Sequence, residues 1–306
     1  MRISPDRETP FGGKTEMVNT LAEKYKLLLE RIGNRVPEGI LVAFSGGVDS
    51  AFLLKAACMA AEEKDARVYA VTVRTKLHPA KDLEEAGAAA AKCGAVHRVL
   101  HIDELTETGI ETNPVNRCYL CKRGIFLKIK ELAGSLGAGC ILEGTNADDL
   151  GQYRPGIQAL KELGIESPLA VCGLTKAEIR KLAEELGISA ADRPSAPCLA
   201  TRLPYGTKLN YDLLARIDEG ERFLRELGFY NVRLRAHELT EIVGEKKMWL
   251  ARIEVDREDL PKLLKCGTEV TEKIRELGFV RVTVDLEGFR SGSMDENLGK
   301  LKDMIV

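Results

Sequence analysis

A chain of 306 residues, 44% hydrophobic and 30% charged, carries enough apolar material for one large core or two domains of ordinary size. With 45 Lys and Arg against 47 Asp and Glu the formal charge is −2, so no global basic field is available to hold polyanionic RNA or DNA, and a nucleic-acid partner is not expected. No run of about 18 apolar residues is present, and Met1 to Gly13 is polar with Pro and Gly, unlike a signal peptide; the expectation is a cytoplasmic protein with no membrane partner.

In chain order, Met17 to Ile32 reads as an amphipathic helix, and strands and helices then alternate. Ile40 to Phe44 is a short apolar strand ending in Ser-Gly-Gly, and Asp49 to Ala61 is helical. Arg67 to Val73 is a second buried strand, Pro79 to Lys92 an Ala-rich helix opened by proline, and His97 to Ile102 a third strand. Cys121 to Leu136 reads as helix and Cys140 to Glu143 as a fourth strand, while Thr175-Lys176-Ala177-Glu178 is a capping-box signal for a helix ending at Leu186-Gly187. This alternation predicts an α/β fold, a parallel sheet with helices on both faces. Ala190 to Tyr205, with Pro194, Pro197 and Pro204, is loop-like. Beyond it the pattern changes to a helix (Tyr211 to Leu227), strands near Val232 to His237 and Met248 to Val255, a helical region, and a strand at Val280 to Leu286. The expected division is therefore residues 1–203 and a smaller α+β domain, 204–306. Leu-Gly-Phe recurs at Leu227 to Phe229 and Leu277 to Phe279, each time leading into a strand.

Ser45-Gly46-Gly47-Val48-Asp49-Ser50 joins a buried strand to a helix, the setting in which glycine-rich loops bind phosphate. Glycines admit close backbone approach, the helix N-terminus supplies oriented N–H groups, and the two serines add hydroxyls. Asp49 is an unexpected neighbour for phosphate unless a cation or a helix-capping role compensates it. The loop has neither the Gly-Lys-Ser/Thr ending of kinase-type loops nor GxGxxG spacing. It resembles the signature of the PP-loop ATP pyrophosphatases, which cleave ATP between the α and β phosphates and transfer AMP to a substrate oxygen. The resemblance implies an adenine nucleotide hydrolase-like fold, ATP with Mg²⁺ as cofactors, and Ser45, Gly46, Gly47, Asp49 and Ser50 as nucleotide contacts.

Eight cysteines are more than packing requires, and a reducing compartment argues against disulfides. Cys58, Cys93, Cys140, Cys172 and Cys266 lie in apolar patterns or beside glycine and read as small hydrophobes. Cys118 and Cys121 form a CxxC at a loop-to-helix junction, and Cys198 sits in Ala196-Pro197-Cys198-Leu199-Ala200-Thr201-Arg202. Flanking Arg117, Lys122 and Arg123, and Arg202 near Cys198, are expected to lower thiol pKa values. Four readings stand open: inert thiols, a zinc site completed by His237, a redox dithiol exchanging with Cys198, and a three-thiolate iron–sulfur cluster with one open iron. The last is preferred, because no fourth cysteine has comparable surroundings.

Asn116-Arg117-Cys118, the loop Gly144-Thr145-Asn146-Ala147-Asp148-Asp149, and Pro197-Cys198-Leu199-Ala200-Thr201-Arg202 together resemble the LarE family of ATP-dependent sulfur transferases. The resemblance extends through Asn231 to His237 and Ala251 to Val255. It implies that a carboxylate of pyridinium-3,5-biscarboxylic acid mononucleotide is adenylated and converted to a thiocarboxylate in nickel-pincer nucleotide synthesis. Members with a single cysteine at the Cys198 position surrender its sulfur; three-cysteine members carry a [4Fe-4S] cluster, the pattern matched here by Cys118, Cys121 and Cys198. The resemblance also implies a homo-oligomer, a hexamer, with other nickel-pincer pathway enzymes as partners; the sulfide donor stays unnamed. A [4Fe-4S]-dependent tRNA thiolase of the PP-loop superfamily is the alternative.

For so anionic a substrate, Lys122, Arg202, Arg233 and Arg235 are the candidate anion contacts, and one of the two strand arginines is expected to face the site. Cys198, Lys122 and Arg202 form the expected catalytic set, with Arg233, Arg235 and Asp149 binding substrate. Asp148 and Asp149 serve either Mg²⁺ or a helix cap, and His97 and His101 read as buried or edge residues rather than ligands.

Overall fold

The computed structural model describes residues 20–77, 83–151, 155–188, 198–243 and 246–290. The expected helix start at Met17, the Pro79 end of the Ala-rich helix, and Ala190 to Pro197 lie outside them. Helix α1 (Leu21–Arg35) begins at a capping box: the Glu23 amide donates to Thr20 Oγ1 at 3.2 Å and the Thr20 amide to Glu23 Oε2 at 3.0 Å. Then follow β1 (Ile40–Ala43), α2 (Val48–Glu62), β2 (Val68–Arg74), α3 (Leu83–Lys92), β3 (Val96–His101), α4 (Glu104–Glu107), α5 (Arg117–Ser135) and β4 (Cys140–Leu142). Short helices α6 (Ala147–Leu150), α7 (Pro155–Glu162) and α8 (Pro168–Val171) precede α9 (Lys176–Glu185). None of α4, α6, α7 and α8 was foreseen; three of the four have only four residues, too short for a periodic signal. Helix α9 opens at the anticipated capping box, with the Thr175 amide 2.8 Å from Glu178 Oε2.

The four strands form one parallel sheet in the order β3-β2-β1-β4. Val42 of β1 sits between Ala70 of β2 and Leu142 of β4. Both faces are covered, as a parallel sheet requires. Ile40, Val42 and Phe44 point into a core shared with Leu28, Phe52 and Leu182, whereas Leu41, Val71 and Ile141 pack on Phe126, Ile129 and Leu160 of the other layer.

The C-terminal part comprises α10 (Tyr211–Glu226), β5 (Val232–Val243), β6 (Lys246–Val255), α11 (Leu260–Lys265), α12 (Gly267–Glu276) and β7 (Arg281–Val284), its sheet ordered β5-β6-β7. β5 and β6 are antiparallel, and β6 and β7 parallel. The repeated Leu-Gly-Phe ends α10 and α12 alike: Gly228 and Gly278 take φ of 82° and 89°. The Phe229 and Phe279 amides then donate back to Leu224 and Ile274, a Schellman closure that glycine accommodates without strain. Leu199, Ala200 and Leu203, together with Leu77, Leu105 and Ile110, are buried in the same core as this second sheet. Among the described residues no helix is long and apolar enough to cross a membrane.

Candidate active site

Strand order reverses between β1 and β4, and in an open α/β sheet ligands bind in the crevice outside the carboxyl ends of strands at such a switch point. A cavity of about 1250 Å³ lies there, larger than the roughly 300–1,000 Å³ of ordinary single-ligand sites. The loop after β1 forms one wall. Gly46 holds φ of 76°, the left-handed region that glycine tolerates, and Gly47 caps α2 through backbone alone. Ser50 is 4% exposed; its hydroxyl donates to Gly47 O at 2.9 Å and accepts from the Ser45 amide at 3.2 Å. These bonds fix the loop so that α2 presents its N-terminal turn to the cavity.

Asp49 has the compensating cation that the sequence required: Lys176 Nζ stands 2.5 Å from its Oδ2, while its Oδ1 is buried with no hydrogen-bond partner among the described residues. Lys176 is itself placed by its amide, which donates to Asp148 Oδ2 at 2.8 Å. Asp149 serves as a cap, accepting from the Asn146 amide at 3.2 Å, and also lines the cavity. Gly144 lies so close beneath α2 that an added Cβ would stand 3.1 Å from the Ser50 nitrogen. Next to it Glu143, 5% exposed, accepts from the Thr145 amide, the Thr145 hydroxyl and the Ser167 hydroxyl. Lys122 Nζ is 3.9 Å from Glu143 Oε2 and 4.9 Å from the Phe126 ring centroid, facing the cavity as anticipated.

Cys118, Cys121 and Cys198 line this same cavity. The CxxC lies within the first turns of α5, which starts at Arg117 rather than at Cys121. The acidity of Cys121 and Cys198 departs from the expectation of lowered pKa values. Burial pushes Cys121 up to about 12 and Cys198 up to about 11, and the neighbouring thiols and Glu104 add to the effect. The basic flank is real, Arg117 acting to lower Cys198, but desolvation outweighs it. The other five cysteines pack in or against the apolar cores, as expected.

The three arginines lie elsewhere than anticipated. Arg202, 2% exposed, is clamped on Glu221 through Nε at 2.6 Å and Nη2 at 2.9 Å. Arg235, 5% exposed, grips Glu254 at 2.7 and 3.0 Å and donates to Thr201 O at 2.6 Å. Arg233 stacks on Phe289 at 4.9 Å and donates to Val232 O; burial and the nearby Arg202 lower its pKa to about 10. None of the three lines the cavity. The premise that only one of Arg233 and Arg235 faces the site was also wrong in its geometry, since residues two apart on a strand share a face. Their partners are Glu254 of β6, Thr201 O of the 199–202 turn and Phe289, so these cations act within the protein; Arg202 Nη1 likewise reaches Cys198 O at 3.5 Å and Thr201 Oγ1 at 2.7 Å, fixing the loop that carries Cys198. Sequence reasoning missed Glu143, which lines the cavity, and Lys176, which holds Asp49. The one available signal was Glu143 at the end of a strand beside the glycine of the second loop.

Among the described residues no group of three or more His, Cys, Asp or Glu side chains is arranged to hold a metal ion. The zinc reading loses its fourth ligand, because His237 lies on β5, outside the cavity lining, with Nε2 buried and unpartnered among the described residues. The three sulfurs do share one cavity, and Cys121 is raised by the charges of both Cys118 and Cys198. Soft thiolates are the donors an iron–sulfur cluster takes, and four irons reach ligands set wider apart than a single ion does.

The switch-point crevice and its serine-glycine loop define an ATP-cleaving enzyme of the PP-loop type, and a PP-loop domain model matches residues 17–149. An uncharacterized protein of Synechocystis, slr1717, is 37% identical over 85% of this chain and 93% of its own length. The pyridinium-3,5-bisthiocarboxylic acid mononucleotide synthase of Lactiplantibacillus plantarum is 32% identical over 92% of this chain and 97% of its own. The tRNA-specific 2-thiouridylase MnmA of Rickettsia rickettsii is 26% identical over 51% of this chain and 52% of its own. The chain belongs to the LarE family of ATP-dependent sulfurtransferases.

Proposed function

We propose that this enzyme adenylates a carboxylate of pyridinium-3,5-biscarboxylic acid mononucleotide and converts it to a thiocarboxylate for nickel-pincer nucleotide synthesis. The observation that carries the reading is that the phosphate loop and three cysteines open into one cavity large enough for two substrates. The N-terminal turn of α2, with Ser45 and Ser50, holds the phosphates that leave as pyrophosphate. Asp49 keeps one oxygen on Lys176 and offers the other to Mg²⁺. Lys122, steadied by Glu143, faces the middle of the cavity, where its charge meets the substrate carboxylate and the α-phosphate of ATP. A carboxylate oxygen attacks that phosphorus and pyrophosphate departs; a sulfur nucleophile then adds to the acyl carbon and AMP departs. A [4Fe-4S] cluster on Cys118, Cys121 and Cys198, with one iron free of protein ligands, supplies that sulfur as sulfide when bound. In this reading residues 1–203 form the catalytic domain, and 204–306 position the Cys198 loop and assemble a homo-oligomer.

The test is anaerobic reconstitution with iron and sulfide, followed by ATP, Mg²⁺ and the pyridinium dicarboxylate. AMP and pyrophosphate should appear in step with a product in which sulfur replaces oxygen. Pyrophosphate release without thiocarboxylate in repeated reconstitutions would sink the sulfur half of the proposal. The tRNA-thiolase alternative draws on similarity over half the chain, and restoration of a thionucleoside to tRNA of a deletion strain would favour it.

A further inference from the structure

Arg117 opens α5 immediately before Cys118, lines the cavity, and is only 4% exposed. One face of its guanidinium lies 4.3 Å from the centroid of the Tyr205 ring. Its Nε and Nη1 are buried and find no hydrogen-bond partner among the described residues. A buried cation is costly unless an anion and hydrogen-bond acceptors meet it, and stacking on one ring replaces only part of that. The Nε–H and Nη1–H bonds leave the guanidinium from different edges, so a single carboxylate cannot take both in the usual fork. The missing partner must therefore offer acceptors spread around the group. The thiols share this lining with Arg117: Cys118 is its neighbour in sequence, Cys121 lies one turn on, and its charge acts on Cys198.

We propose that Arg117 is the counter-cation of the cysteine-bound cluster, donating charge-assisted N–H···S bonds to thiolate and sulfide sulfurs on the buried side of the site. The inference rests on the cluster reading above. It makes Arg117 a positioning and tuning residue rather than a ligand. Hydrogen bonds and positive charge beside the sulfurs stabilise the more reduced, more negative state and slow the loss of iron.

The experiment compares the full chain with its Arg117→Met and Arg117→Gln variants after anaerobic loading with iron and sulfide. Far-UV circular dichroism and Mg-ATP affinity serve as checks on the fold and the phosphate loop. Both variants should surrender iron to a chelator about tenfold faster, and the reduced cluster should bind about tenfold less favourably relative to the oxidised one, a midpoint lowered by about 59 mV. Folded variants that hold iron as long as the unsubstituted chain, at the same midpoint, would overturn the role of Arg117 alone. Should Arg117→Met fail to fold, Arg117→Gln decides by the same two readouts. No cluster in the unsubstituted chain would overturn the cluster reading, and this inference with it.

Discussion

Replacing Glu221 by Gln keeps the side chain's volume and removes one charge from the most enclosed ion pair among the described residues. Glu221 is 0% exposed and accepts four hydrogen bonds, from Arg202 Nε (2.6 Å) and Nη2 (2.9 Å), Arg225 Nη2 (2.8 Å) and the Leu234 amide (3.0 Å). Charge-assisted bonds at about 1.5–3 kcal/mol apiece would sum to about 6–12 kcal/mol, but that sum overstates the loss. Arg225 is 42% exposed and recovers water, and a glutamine oxygen still serves the Leu234 amide. What remains is Arg202, 2% exposed, left charged against a neutral partner, and breaking such a pair costs about 3–5 kcal/mol. That is a large share of a typical total stability of about 5–15 kcal/mol. Urea unfolding should show it as a lower midpoint at unchanged slope. Trp249, the single tryptophan, lies in β6 and reports the C-terminal sheet by fluorescence, while circular dichroism reports the whole chain. A loss under about 1 kcal/mol would refute the reasoning. The double variant Arg202→Met with Glu221→Gln should recover part of the loss, since no buried charge is then left without its counter-charge and the glutamine oxygen still serves the Leu234 amide.

Lys176→Met strips Asp49 of its counter-ion and leaves a bare carboxylate beside the phosphates; Mg-ATP should bind about tenfold more weakly by titration calorimetry, with little change in melting temperature. Gly144→Ala brings a Cβ to 3.1 Å from the Ser50 nitrogen and 3.4 Å from Asp49. Thermal unfolding should register about 1–3 kcal/mol of overpacking, and equal stability would mean that the two loops separate freely. His97 is held neutral by burial, its pKa lowered. The unfolded chain therefore takes the proton first, near pH 6.5, and stability should fall as pH drops from about 7 to about 5.5. His97→Gln should flatten part of that slope in urea midpoints across this range, and an identical slope would refute the assignment.

The parallel sheet was legible because each strand is a short apolar run between helical periods, and because Ser45 to Ser50 states both its geometry and its chemistry. The caps at Thr175 and the two Leu-Gly-Phe closures were legible for a similar reason: they are local, set by residues within one turn. The arginines were not. Period two on β5 says that Arg233 and Arg235 share a face, but not that Glu254 of β6 and Thr201 O take Arg235 there, nor that Glu221 of α10 takes Arg202. The thiols misled in the same way. Basic neighbours in sequence pointed to lowered pKa values, and only the folded chain shows how deeply Cys121 and Cys198 are enclosed.

Cys118 and Cys121 ride on α5, whose side chains pack against the parallel sheet. The turn after Cys198 is anchored differently: Leu199 and Leu203 are sunk in the core of the second sheet, and Arg235 of β5 holds Thr201 O. Whatever bonds to all three sulfurs therefore also ties α5, packed on the parallel sheet, to a turn held by the second sheet. Its binding energy is felt as cohesion between those two elements, so that loading the sulfur end should raise the melting temperature of the chain.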